Sequence, residues 1–244
     1  RLARSHGAEV ERAKGLWNKA RQKTVSEKDR DDYVKQILEI IGDALNKVSS
    51  RHDSSRIVQF CVQYGTPAQQ AKILNSIKTD MIQLCKVTHG RFLVQKLFDY
   101  CKEESLRKQL LKALENKIVT LSMHSTGALV VEHLYLKGLS NKEQKYIFQE
   151  FYGAEFRHFK RKTRNSLREI VQDEPKKVDD IAEHLKSVVK KHCEKGLLSL
   201  SFVQELLFGV LHELYPSDSV KCRDISLLML PYVKEVAPAM CTTR

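Results

Sequence analysis

Ser55-Arg56-Ile57-Val58-Gln59-Phe60-Cys61-Val62, Arg91-Phe92-Leu93-Val94-Gln95-Lys96-Leu97-Phe98 and Ala128-Leu129-Val130-Val131-Glu132-His133-Leu134-Tyr135 are three versions of one pattern, starting 36 and 37 residues apart. In each, the third and fourth positions are aliphatic, the fifth is Gln or Glu, and the seventh and eighth are largely apolar. That places one stripe of a helix against a core and leaves the fifth position outside it. A second column recurs upstream in phase: Ile37, Leu38, Ile41 and Leu45 align with Ile73, Leu74, Ile77 and Met81, then with Leu110, Leu111, Leu114 and Ile118. A fixed period of 20 to 50 residues signals a repeat architecture, in which each unit buries its apolar face on its neighbours.

The pattern weakens downstream but continues. Asn165-Ser166-Leu167-Arg168-Glu169-Ile170-Val171 starts 37 residues after Ala128, and Leu200-Ser201-Phe202-Val203-Gln204 starts 35 residues after that. The expected organisation is a basic amino-terminal helical extension over 1–31, carrying Trp17, then units at about 32–65, 66–102, 103–139, 140–179 and 180–216. A partial unit over 217–244, with Ser217 at its start, completes the array. With 10 Gly and 5 Pro in 244 residues and no strand periodicity, the fold class is all-α: an α-solenoid, a right-handed superhelix of about five to six helical repeats. Thr66-Pro67 and Ser140 read as helix starts, and Gly65 and Gly138 as C-caps in a left-handed conformation.

Composition narrows the function. Lys and Arg number 42 against 30 Asp and Glu, a net charge of +12, which calls for an anionic partner, with nucleic acid the foremost candidate. The richest apolar stretch, Leu197 to Leu211, is broken by Ser199, Ser201, Gln204 and Glu205, too short and too polar for a membrane span. Six well-separated cysteines without CxxC pairs read as reduced structural thiols of an intracellular protein. No phosphate loop, nucleophile elbow, GxGxxG or HExxH signature is present, so no catalytic residue, metal, cofactor or small-molecule substrate is expected. His52, His89 and His124 recur near the starts of the motif helices. As equivalents in successive units they are expected about a repeat apart, in helix-start polar contacts rather than at one metal.

Ser-Arg-x-x-Gln, Arg-Phe-x-x-Gln within His89-Gly90-Arg91-Phe92-Leu93-Val94-Gln95, and Gly-Ala-Leu-x-x-Glu, set in helical units of about 36 residues, resemble the Pumilio (PUF) repeat. The resemblance spans roughly residues 32 to 216 and is strongest in the first three units. It implies that the first and fifth motif residues touch base edges while the second stacks between bases. Ser55, Arg56 and Gln59 form the set nearest to a base reader, implying adenine. In the next unit Phe92 is a stacker beside Arg91 and Gln95. Ala128, Leu129 and Glu132 depart from the pattern; Asn165, Ser166 and Glu169, and Leu200, Ser201 and Gln204, read as ordinary helix surface. Ala13-Lys14-Gly15-Leu16-Trp17, His52-Asp53-Ser54-Ser55-Arg56, and Glu150-Phe151-Tyr152-Gly153-Ala154-Glu155-Phe156 are similar to the nucleolar Puf-A branch. This implies RNA, in particular an rRNA precursor, and DNA in vitro as ligands, pre-ribosomal proteins as partners, and ribosome-biogenesis work in the nucleolus of the nucleus.

So few intact triplets cannot read a long sequence, so backbone charge is expected to supply most of the affinity. Arg157, Lys160, Arg161, Lys162, Arg164 and Arg168 crowd twelve residues that contain no carboxylate and are the expected phosphate contacts, giving salt-sensitive, sequence-independent binding. The competing reading is a HEAT- or armadillo-like scaffold that holds an acidic protein. Phe148, Phe151, Tyr152 and Phe156 are expected in the core of the fourth unit. Ser49, Cys85 and Ser122 share a column that requires a small side chain.

Overall fold

The computed structural model describes residues 7–52 and 54–215, with 220, 223, 226, 227 and 230–232 beyond them. The partial unit expected over 217–244 lies almost wholly outside these residues, as do Asp53, Ser217, Cys222 and Cys241. Among the described residues there is no strand and no helix long and apolar enough to cross a membrane.

Among the residues described up to 215, fifteen α-helices follow one another: α1 Gly7–Ala20, α2 Glu27–Ile41, α3 Leu45–Ser49, α4 Ser55–Tyr64, α5 Pro67–Ile77, α6 Met81–Lys86, α7 Gly90–Tyr100, α8 Glu104–Leu114, α9 Ile118–Ser122, α10 Ser125–His133, α11 Asn141–Phe148, α12 Ala154–His158, α13 Leu167–Asp173, α14 Val178–Glu194 and α15 Ser201–Phe208. The repeating element has three helices where the apolar columns suggest two. Leu45, Met81 and Ile118 do not continue the helices that carry Ile37, Ile73 and Leu110; each lies in a short middle helix. The first of these breaks falls at Gly42, whose φ of +45° suits glycine, and the third at Asn116, with φ +63°. Every member of the upstream columns is buried except Leu111, and Ile57, Val58, Leu93, Val94, Val130 and Val131 are wholly so. Each buried aliphatic side chain contributes about 1.5–3 kcal/mol, which explains why the motif helices keep those two positions apolar.

Helix starts follow their sequence signals. Thr66 and Ser140 each close a capping box with the residue three further on, Gln69 and Glu143, satisfying amides that would otherwise be orphaned. The C-caps differ from expectation. Gly65 has an extended backbone, φ −80° and ψ 153°, and Gly138 ends a π-helical segment, Leu134–Gly138. Glycine is needed at 65 because a Cβ there would sit 2.4 Å from the Cys61 carbonyl oxygen.

The chain divides into two compact units, Arg1–Leu114 and Glu115–Arg244. In the first, α1 packs on α2, and α4 packs against α7 as well as α2. In the second, α14 packs on α15, and the residues joining α11 to α12 fill the core. Phe151, wholly buried, lies 6.1 Å from Phe202 and 5.4 Å from Phe148, centroid to centroid. The stacking of successive motif helices is broken here. α10 packs directly on α15, while α13 lies against the π-helical segment Gly209–Leu214 that extends α15.

His192 is sealed into this core, its ring nitrogens 2.7 Å from the Val188 carbonyl and 3.0 Å from Ser122 Oγ. Burial, the leading cause, holds its pKa below the usual histidine value. A depressed histidine contributes stability that is complete above its unfolded pKa and is lost as pH falls through the folded one. The unit should therefore lose stability as pH drops below about 6.5. His192→Gln should flatten that part of a melting-temperature profile; an unaltered acid slope would exclude His192 as its source. Ser49, Cys85 and Ser122 are all wholly buried. Burial pushes the Cys61 and Cys85 thiols up to about 12, which leaves them un-ionised packing groups.

Candidate nucleic-acid interface

Ser55 and Arg56 occupy the first turn of α4, Gln59 the second, and Phe92 the first turn of α7, because the apolar third and fourth motif positions turn those helices into the core. With His52 and His89, which precede the two helices, they line a concavity of about 300 Å³ in the amino-terminal unit. Ser55 is buried, and Gln59 Nε2 reaches its Oγ at 3.5 Å. Arg56 is exposed, and Phe92 keeps 41% of its surface open. The Arg91 guanidinium lies 4.6 Å from the Phe92 ring centroid, so it covers one face of that ring instead of lining the concavity. Gln95 is half-buried and also outside the lining.

The concavity therefore offers an amide and a hydroxyl for a base edge, a guanidinium and one aromatic ring, with no carboxylate among the described residues that line it. That combination suits a nucleobase and its phosphate. The two histidines belong to the site although their column suggested isolated helix-start contacts. Their rings meet edge to face, 4.8 Å between centroids, because side chains of neighbouring repeats bridge the 8–10 Å between packed helices. His124 does act at a helix start, its Nδ1 accepting the Thr126 and Gly127 amides.

The third motif helix presents no comparable set. Ala128 is buried, and the Glu132 carboxylate accepts the Ser201 and Phe202 amides at 2.9 and 3.2 Å, capping α15. Ser166 and Glu169 close a capping box on α13, and Gln204 Nε2 donates to the Leu198 carbonyl.

The basic segment is not the unpaired strip that its sequence suggests. The Lys160 side chain is buried, 2% exposed, with Nζ 3.1 Å from the fully buried Glu150. Arg161 pairs with Asp173 and Glu174, Arg164 with Asp173, and Arg168 with Glu213 at 2.8 Å. The Arg164 hydrogen bond is the first cause holding the Asp173 carboxyl below its ordinary range. Arg157 is half-buried with an unpartnered Nε, and Lys162 is exposed. Lys160 is thus corrected from a phosphate contact to a structural cation, and Arg161, Arg164 and Arg168 are each already engaged by a carboxylate.

Comparison with known proteins bears on the repeat and the fold. Residues 54–78 and 82–114 match the Pumilio-family RNA binding repeat. The chain is 26% identical over 216 residues to Pumilio homology domain family member 6 of Schizosaccharomyces pombe, covering 88% of this chain and 33% of that protein. It is 28% identical over 202 residues to Pumilio domain-containing protein 12 of Caenorhabditis elegans, covering 82% and 26%. The chain thus spans a third or less of the length of these relatives. A crystal structure of human Puf-A in complex with DNA superposes with a TM-score of 0.79 at 19% identity, covering 94% of this chain and 45% of that one. The fold is that of the Pumilio helical-repeat solenoids, and in both sequence and fold the chain is similar to Puf-A.

Proposed function

We propose that this array of Pumilio-type repeats binds RNA with little sequence preference, holding one or two bases at the Ser55–Phe92 concavity and the backbone by charge. The observation that carries the reading is the gathering of Ser55, Arg56, Gln59 and a half-open Phe92 around one concavity. The net charge of +12 supplies the sequence-independent part. Similarity to the Puf-A branch supports work on an rRNA precursor among pre-ribosomal proteins in the nucleolus, with DNA as a ligand in vitro. The protein then acts by positioning RNA, with no chemical step.

A salt titration of binding to several unrelated single- and double-stranded oligonucleotides tests this. Affinities within about tenfold of one another, all falling along one steep slope, are expected. One strongly preferred sequence would overturn the low specificity, and no binding at low salt would favour a scaffold for an acidic protein. Within the same titration, Lys162→Ala should make the slope of log affinity against log salt shallower by about 0.7 on single strands, the value of one phosphate contact. An unchanged slope would remove Lys162 from the interface.

A further inference from the structure

A second concavity, of about 240 Å³, lies entirely within the carboxyl-terminal unit. Tyr135, Phe148 and Phe208 contribute aromatic surface, and Lys145, Arg168, Glu205 and Glu213 line it as charged groups. It is flanked by both π-helical segments, Leu134–Gly138 contributing Tyr135 and Gly209–Leu214 contributing Gly209. Such widened turns are rare and concentrate at functional sites. Gly209 admits the close packing of α13: a Cβ there would lie 2.9 Å from Leu167 Cδ2.

The chemistry of the lining is specific. Phe208 is 48% exposed, and one of its faces is stacked on His212 at 4.4 Å between centroids. It therefore resembles Phe92, a ring backed on one side and open on the other. Burial and the neighbouring Glu205 push the Tyr135 hydroxyl up to about 12, so it stays a donor to the Glu205 carboxylate. Glu205 itself can only accept. Lys145 is exposed, and Arg168 is held to Glu213 at 2.8 Å with its side chain largely in solvent.

We propose that this concavity receives a single unpaired nucleobase, stacked against Phe208 and Tyr135, with an exocyclic amine donating to Glu205 and the adjoining phosphate at Lys145, while Arg168 neutralises Glu213. The proposal rests on the RNA-binding reading but on a different unit and different residues. A carboxylate accepts from the amine of cytosine and is repelled by the paired carbonyls of uracil, so the site discriminates where the Ser55–Phe92 concavity is tolerant.

The test uses fluorescence anisotropy with ten-nucleotide oligo(C) and oligo(U) RNA on the whole chain, with thermal melts as a folding control. The unaltered protein should bind oligo(C) about five- to tenfold more tightly than oligo(U). Phe208→Ala should weaken oligo(C) roughly tenfold, in line with the loss of one base–aromatic stack. Glu205→Gln, an exposed and isosteric change, should bring oligo(C) to the level of oligo(U). If both variants bind both oligonucleotides as the unaltered protein does, while Arg56→Ala/Phe92→Ala weakens both, the concavity holds no base and the RNA reading stands; a pocket for a protein partner gives that result. If the unaltered protein binds neither, both readings fall.

Discussion

Lys160→Met should unfold the carboxyl-terminal unit far more readily, by about 3–5 kcal/mol, although Lys160 lies in the most basic stretch of the chain. Its ammonium is buried 3.1 Å from Glu150 and donates to the Arg157 carbonyl at 2.9 Å and to Asn116 Oδ1 at 3.2 Å. Glu150 in turn accepts the Asn116 and Ile118 amides at 2.6 and 3.0 Å, fastening the start of α9. Removing one partner of such a pair strands a buried charge, which costs several kcal/mol, whereas removing both is far milder. The double variant Lys160→Met/Glu150→Gln should therefore recover part of the loss, the remainder being the backbone amide that a glutamine, with a single acceptor oxygen, leaves unpaired.

Burial is the leading cause raising the Glu150 pKa, against the opposing pull of Lys160. In the single variant that opposition is gone. A carboxyl with a raised folded pKa contributes its stability below the unfolded value and loses it as pH rises through the folded one. The deficit of Lys160→Met should therefore be largest at neutral and alkaline pH and shrink in acid. Were Lys160 a phosphate contact, the variant would instead melt normally and bind RNA more weakly.

Arg56→Ala/Phe92→Ala should reduce affinity for single-stranded RNA by at least about 30-fold at moderate salt. Loss of one base stack costs about 1–3 kcal/mol, and loss of a guanidinium contact to a base or phosphate costs a similar amount. A combined loss of at least about 2 kcal/mol corresponds to that factor. Both side chains are substantially exposed, so the fold should be untouched and the melting temperature unchanged. Arg91 has lost its ring partner in this variant, and Arg91→Ala alone should weaken binding less than Phe92→Ala.

The helical repeat was legible because it is written in buried aliphatic positions. Ile57 and Val58, Leu93 and Val94, and Val130 and Val131 occupy the same two columns and are all wholly buried, and burial tolerates little else there. The middle helices were harder to see, since Leu45, Met81 and Ile118 keep the apolar period across a break marked by little more than Gly42 or Asn116. Phe92 and Arg56 were legible through the resemblance of their motifs to the Pumilio repeat, in which the second position stacks between bases. The pairing of the basic segment was not visible. Its carboxylates, Glu150, Asp173, Glu174 and Glu213, lie before or after it in sequence, and only the fold brings them within reach. For the same reason the second concavity was missed: Tyr135, Lys145, Arg168, Glu205 and Phe208 share no spacing, and their meeting depends on α10 packing directly on α15.

Photochemical cross-linking of a single-stranded RNA to the whole chain, with the adducts mapped by mass spectrometry, tests the central claim most directly. Adducts at Phe92 and at His52 or His89 are expected, diminishing in step as salt is raised. Adducts confined to other surfaces, with these three residues unmodified at saturating RNA, would contradict the assignment of the Ser55–Phe92 concavity as the RNA site.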